Sequence, residues 1–176
     1  MIGSTIYIVG GWNMTGEEAT AWHTSAWSLD LESDDPRWVE ITAPPFQRRA
    51  LAVVAHDGKL FAIGGMSQES GPTKAVCVYD PQTKSWTEVA DILGDKAMAG
   101  FGASGWSIDG QLIVTTYEGA VQRWNPEQQS WTMIGQTKDA RFFHRLLPLS
   151  NQQLVSVGGA SMDSGKFLKP EVVNLP

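Results

Sequence analysis

The sequence predicts an all-β chain made of four-stranded antiparallel blades, a partial β-propeller, and two recurrences carry that reading. First, a short apolar run closes on two glycines three times: Ile6-Tyr7-Ile8-Val9-Gly10-Gly11, Leu60-Phe61-Ala62-Ile63-Gly64-Gly65 and Leu154-Val155-Ser156-Val157-Gly158-Gly159. Gly64 lies 54 residues after Gly10, and Gly158 lies 94 after Gly64, which is two steps of about 47 and close to the length of a propeller blade. The degraded middle copy is Gly110-Gln111-Leu112-Ile113-Val114-Thr115-Thr116, with threonines in place of glycines. Second, a turn followed by tryptophan recurs in register: Asp80-Pro81 before Trp86, Asn125-Pro126 before Trp131, and Asp30 before Trp38.

One partial propeller domain over 1–176 follows, with units at about 1–41, 48–89, 99–134 and 141–176. Unit one supplies strands at 5–10, 21–29 and 37–41 and lacks a first strand. Unit two is complete, with strands at 50–56, 59–64, 75–79 and 85–89. Asp57-Gly58 makes its tight hairpin and Asp80-Pro81 its outer turn. Unit three is complete. Unit four has strands near Phe142, Leu154 and Glu171 and lacks its last one. A glycine pair fits a strand end where a side chain would obstruct a neighbouring backbone and where a positive φ is needed. Trp38, Trp86 and Trp131 are expected to fill the wedges between blades, each ring burying a large area while its indole N–H finds an acceptor.

These residues resemble the kelch repeat: an arginine before the first strand, an apolar strand ending in Gly-Gly, a Tyr-Asp-Pro-like turn as in Tyr79-Asp80-Pro81, and a tryptophan about six residues later. The resemblance runs from Ile6 to about Asn174. It implies a propeller but names no single function, because kelch propellers include protein-binding adaptors, a sugar mutarotase, specifier proteins and copper oxidases.

Composition narrows the classes. Eighteen glycines and eight tryptophans in 176 residues suit short strands and tight turns. A net charge of −6 argues against nucleic acid, which would call for a basic stripe. No apolar segment is long enough to span a bilayer, so no membrane partner is expected, and no export signal is visible. The lone Cys77 excludes an internal disulfide and is expected to be buried in its strand. Asn13-Met14-Thr15 matches a glycosylation triplet, and residues 16–21 form a blade-face insertion able to start a helical turn. Gly100-Phe101-Gly102-Ala103-Ser104-Gly105 spells a dinucleotide fingerprint, yet a strand rather than a helix follows Asp109-Gly110.

The propeller face formed by the lead-ins to the inner strands and the loops after the glycine pairs is the expected site. By resemblance, Arg49 and Arg141 occupy matching lead-in positions, where some binding propellers hold acidic partners; a planar guanidinium suits bidentate capture of a carboxylate. The alternative is that each ties down a loop carbonyl or a carboxylate such as Glu69. Unit three has Lys96 and Met98 in place of the arginine. His144 sits in an Arg-aromatic-aromatic-His pattern and is either a channel-facing ligand or acid–base group, or a hydrogen-bonded filler. Trp12, beside Trp22 and Trp27, is either an exposed contact residue or loop packing. Glu17, Glu18, Glu69 and Asp163 lie in the loops after the second strands, where carboxylates near arginines can do acid–base chemistry or simply be solvated. His23 and His56 offer no metal-ligand spacing, a copper radical site is not expected, and no cofactor or metal is assigned.

The functional expectation is a non-catalytic scaffold that binds a protein or peptide through this face. The alternative is a segment of an enzyme propeller acting on a carbohydrate, mutarotase-like or galactose-oxidase-like. About three and a half blades is fewer than the four to eight of closed propellers. Three arrangements follow: a segment of a longer product, two copies forming a homodimeric ring, or an open arc with exposed edges.

Overall fold

A computed structural model describes residues 1–13 and 21–176. The acceptor triplet's Met14 and Thr15, the loop carboxylates Glu17 and Glu18, and the insertion before Ala21 lie outside the described residues.

Among the described residues, fourteen strands of three residues or more build the four blade sheets, and two-residue ladders lie in the loops beside them. Unit one has β1 (Thr5–Val9), β2 (Ala26–Asp30) and β3 (Val39–Ile41); unit two has β4 (Ala52–His56), β5 (Lys59–Ile63), β6 (Val76–Asp80) and β7 (Ser85–Val89). Unit three has β8 (Ser104–Ile108), β9 (Gln111–Thr115), β10 (Ala120–Asn125) and β11 (Ser130–Gln136); unit four has β12 (Phe142–Ser150), β13 (Gln153–Ser161) and β14 (Glu171–Asn174). Within each sheet the strands pair antiparallel in chain order. The stretch expected as one strand over 21–29 divides: Ala21–Trp22 pairs with Trp12–Asn13 as a separate two-residue ladder, and β2 begins at Ala26.

The turns follow from side-chain chemistry. Asp57-Gly58 and Asp109-Gly110 both take left-handed φ values, 47° and 68°, and 47° and 69°, the geometry that lets a two-residue turn follow the strand twist. Asp30, Asp80 and Asn125 each accept a backbone N–H two residues on, from Glu32, Gln82 and Glu127, at 3.0, 2.8 and 3.0 Å. The Gln82 N–H is the main reason the Asp80 carboxyl is held below its ordinary value.

Alternation along each strand feeds two cores. Phe61, Ile63, Val76 and Val78 of unit two pack against Leu112, Val114 and Trp124 of unit three. Ile108, Ile113 and Val121 pack the other face of unit three against Leu146, Leu154 and Val173 of unit four. Trp86 and Trp131 donate their indole N–H groups to Thr42 O and Ala90 O at 2.8 and 2.9 Å, tying each outer strand to the linker that leads into its own unit. Trp38 departs from the expected wedge: it is 42% exposed, because the side on which Trp86 and Trp131 meet a preceding unit has no such unit in this chain.

The glycine pairs join neighbouring units. Gly10 and Gly64 have φ of 60° and 61°. A Cβ on Gly10 would lie 2.7 Å from Arg48 O, and one on Gly64 would collide with Gly100 O. The second glycine of each pair donates to that same carbonyl, Gly11 N–H to Arg48 O at 2.9 Å and Gly65 N–H to Gly100 O at 2.7 Å. Counted from the hairpin glycines Gly58 and Gly110, Thr116 and Tyr117 hold these positions in unit three. There Thr116 N–H closes directly on Ala120 O at 3.1 Å, so the loop is too short to need the pair. A further line of bonds runs between the starts of the inner strands: Gly102 N–H to Ala50 O at 3.0 Å and Phe143 N–H to Gly102 O at 2.9 Å, with all three residues left-handed.

Candidate functional site: the loop face around Arg49

The arginines divide into two kinds. Arg48 is buried, and its guanidinium donates to Gly64 O at 3.0 Å, Ala75 O at 2.6 Å and Cys77 Sγ at 3.2 Å while lying 3.7 Å over the Phe46 ring. Arg141 does the same in unit four. It donates to Gly158 O at 3.2 Å, Lys169 O at 3.4 Å, Asp139 O at 3.3 Å and the Glu171 carboxylate at 3.2 Å, over the Phe167 ring. Each reaches the carbonyl of the first glycine in its own unit, and each precedes a left-handed residue, Ala50 or Phe143, by two. The counterpart of Arg141 is therefore Arg48, not Arg49, and in unit three that position is Gly100 rather than Lys96 or Met98. Only 3% exposed, Arg141 spends its donors inside the fold. Cys77 is buried as expected, and burial pushes its thiol pKa up.

His144 is also interior. Its Nε2 hydrogen-bonds Thr115 Oγ1 across the junction of units three and four, and its Nδ1 is buried with no partner among the described residues. Burial first, then the charges of Arg141 and Arg145, lower its pKa to about 4. It is a neutral packing residue at pH 7, out of reach of a ligand on the surface.

Arg49 is different. Its side chain turns out onto the loop face, with the guanidinium carbon 3.6 Å from the Trp12 ring centroid and 5.2 Å from that of Trp22. The two indoles are 6.2 Å apart and tilted by 53°, so they form two walls of a clamp. Pairing of Trp12 with Trp22 holds those walls, and pairing of Arg49 with Met66 brings in the fourth member. Among the described residues, the one hydrogen bond of this guanidinium is a weak contact to Met66 Sδ at 3.3 Å, and its Nε is buried without a partner. Trp12 remains 37% exposed. The sequence pointed to Trp12 and Arg49 but missed Met66. The signal was present in the repeat register, since Met66 follows Gly64-Gly65 as Trp12 follows Gly10-Gly11.

Glu69 is exposed on the wall of a neighbouring groove with Thr24, Pro44 and Phe46, and it forms no ion pair with Arg49. A second aromatic group, Phe101, Phe142, Phe143 and Tyr117, lies at the unit three and four lead-ins, with Tyr117 stacked on Phe142 at 5.5 Å. At the opposite, hairpin end a cleft between units two and three holds His56, whose Nδ1 lies 2.9 Å from Ser107 Oγ and whose pKa burial lowers. Among the described residues no cluster of histidine, cysteine and carboxylate has the makings of a metal site, and no helix is long and apolar enough to cross a membrane.

Residues 47–92, which contain Arg48, Arg49, the glycine pair and Trp86, match the model of the kelch motif. Over 96% of its length the chain is 25% identical to kelch-like protein 40 of Xenopus tropicalis, and it spans 28% of that protein. It is 33% identical over 52% of its length to kelch repeat and BTB domain-containing protein 13 of Homo sapiens, spanning 19% of it. The solved structure of YjhT superposes on the whole chain with a TM-score of 0.77 at 15% identity, the chain covering 67% of it, which is a likeness of fold. The repeats, their glycine pairs and their four-stranded blades make the chain a partial kelch-type β-propeller, with a kelch motif at residues 47–92 and similarity to kelch-like and kelch-repeat proteins.

Proposed function

We propose that the chain is a recognition surface for a protein or peptide partner, and that the partner's carboxylate docks on Arg49 between Trp12 and Trp22. One observation carries the reading: a partly exposed guanidinium held by two indoles, whose hydrogen bond among the described residues goes to a thioether. Five N–H donors in a fixed fork suit a carboxylate far better than a sulfur. Stacking on the indoles fixes the fork before a partner arrives, which lowers the ordering cost of binding. Tryptophan and arginine together are also the residue types that carry most of the energy in protein interfaces.

Peptides selected from a random phage-displayed library on the wild-type chain provide the probe. They are expected to be enriched in Asp and Glu. Arg49→Ala and Trp12→Ala should each weaken the selected peptides at least tenfold, with the unfolding midpoint little changed. Selected peptides that bind both variants as tightly as the wild type would refute the assignment.

A further inference from the structure

We propose that the cleft at the hairpin end, between units two and three, is a second binding site and that it takes a neutral sugar. This inference is independent of the clamp around Arg49.

Position is the first support. The cleft has a volume of about 510 Å3, inside the range of about 300–1,000 Å3 found for small-molecule sites. Every residue that lines it lies between His56 and Gln129, in two units that each have a neighbouring unit on both sides within the chain. Neither end of the chain shapes it. It continues the core that units two and three share, since Phe61, Val78 and Trp124 belong to that core and also line the cleft.

The repeat gives the reason for the space. Pairing of β5, β6 and β7 sets Phe61, Val78 and Thr87 in one row across unit two. The matching row of unit three is Ile113, Arg123 and Thr132. There Arg123 runs along the face and donates to Gln111 Oε1 at 3.1 Å. Gln111 matches Lys59, which in unit two pairs instead with Asp80 at 3.3 Å. Valine at the arginine position removes that arm and leaves the cleft open. The inner wall departs from the repeat as well: His56 stands opposite Lys59 where Ile108 stands opposite Gln111, and its Nδ1 lies 2.9 Å from Ser107 Oγ.

The lining chemistry selects the ligand. Lys59 and Asp80 neutralise each other, and His56 is neutral at pH 7 because burial holds its pKa below the ordinary value. An anion would face Asp57 and Asp80, and a cation would compete with Lys59 for its partner. A wholly apolar ligand would cover Ser85, Thr87 and Ser107 without satisfying their hydroxyl groups, at a cost in free energy. Sugar hydroxyls both donate and accept, so they serve hydroxyl, imidazole, ammonium and carboxylate partners alike. The less polar face of the sugar ring is then left for Phe61, Val78 and Trp124, the mixture of apolar wall and few polar groups that small-molecule sites show.

Saturation-transfer NMR and titration calorimetry test this on the wild-type chain with glucose, galactose, mannose, maltose and lactose. Glucuronic acid and glucosamine serve as the anionic and cationic counterparts. At least one neutral sugar should bind, at least tenfold more tightly than either charged one. Val78→Arg, which gives unit two the arm that unit three has in Arg123, should abolish the signal. Thr87→Arg fills the cleft from an exposed position on the same row and should do the same, so the test survives if the buried Val78 does not tolerate replacement; circular dichroism checks folding. Arg49→Ala should leave sugar binding unchanged, which separates this site from the clamp. No binding by any of the five neutral sugars, tighter binding of a charged one, or a signal that a folded Thr87→Arg variant retains would overturn the proposal.

Discussion

Replacing Gly64 and Gly158 by alanine separates two roles of the glycine pair that one φ value hides. Both residues are left-handed, at 61° and 67°, so each alanine carries the same backbone penalty of about 1–2 kcal/mol. Their surroundings differ. A methyl on Gly64 would strike Gly100 O and lie 2.8 Å from Gly100 Cα. Unit three must then shift, which lengthens or breaks the 2.7 Å bond from Gly65 N–H to Gly100 O. Losing a buried backbone pair costs about 1–3 kcal/mol. Gly64→Ala should therefore cost about 3–4 kcal/mol and Gly158→Ala about 1–2 kcal/mol. In a chain of this size the difference of about 2 kcal/mol corresponds to about 4–8 °C in midpoint. Urea unfolding followed by tryptophan fluorescence, with m-values compared, measures both. Equal losses for the two variants would mean that strain at φ is the whole cost and that the contact with Gly100 contributes nothing.

The other expectations concern buried polar groups. Arg48→Leu strands Gly64 O, leaves Ala75 O with only the Gly64 N–H, and should cost about 2 kcal/mol, while Arg49→Ala, on the loop face, should cost less than about 1 kcal/mol; urea midpoints compare them. His144 binds a proton near pH 6.5 when unfolded but only near pH 4 when folded. The unfolded state therefore takes up more protons in that window, and stability falls as pH drops from about 6.5 to 4, by up to about 3 kcal/mol. His144→Leu, which places in unit four the residue that unit two carries as Leu51, should flatten that part of the pH profile; an unchanged slope would assign it to other groups. Trp131→Phe keeps an aromatic ring but loses the bond to Ala90 O and should lower stability by about 1–2 kcal/mol in the same assay.

The repeat made the fold legible because its markers are backbone necessities: glycines where φ is positive, Asp or Asn where an amide must be capped, tryptophan where a linker carbonyl needs a donor. The site was harder to read. Arg48 and Arg49 are adjacent, and strand alternation sends one inward and the other outward. The parity is set by the left-handed residue at Ala50, a position where alanine gives no warning. The same left-handed conformation at Phe143 lies inside the Arg-aromatic-aromatic-His string, whose Arg141 and His144 both end up interior. Trp38 looked equivalent to Trp86 and Trp131 because its local spacing is similar, but its burial depends on a neighbouring unit that local spacing does not encode.

The clamp is assembled from two units, Trp12 and Trp22 from the first and Arg49 and Met66 from the second. Each half is positioned by the bond from Gly11 N–H to Arg48 O, one residue from the guanidinium that the indoles hold. A ligand that closes on the clamp therefore also resists separation of the two units. Occupancy at about a hundred times the dissociation constant would strengthen that junction by about 2.7 kcal/mol, so the first unit, which has only one neighbour in the chain, gains a second restraint whenever the face is in use.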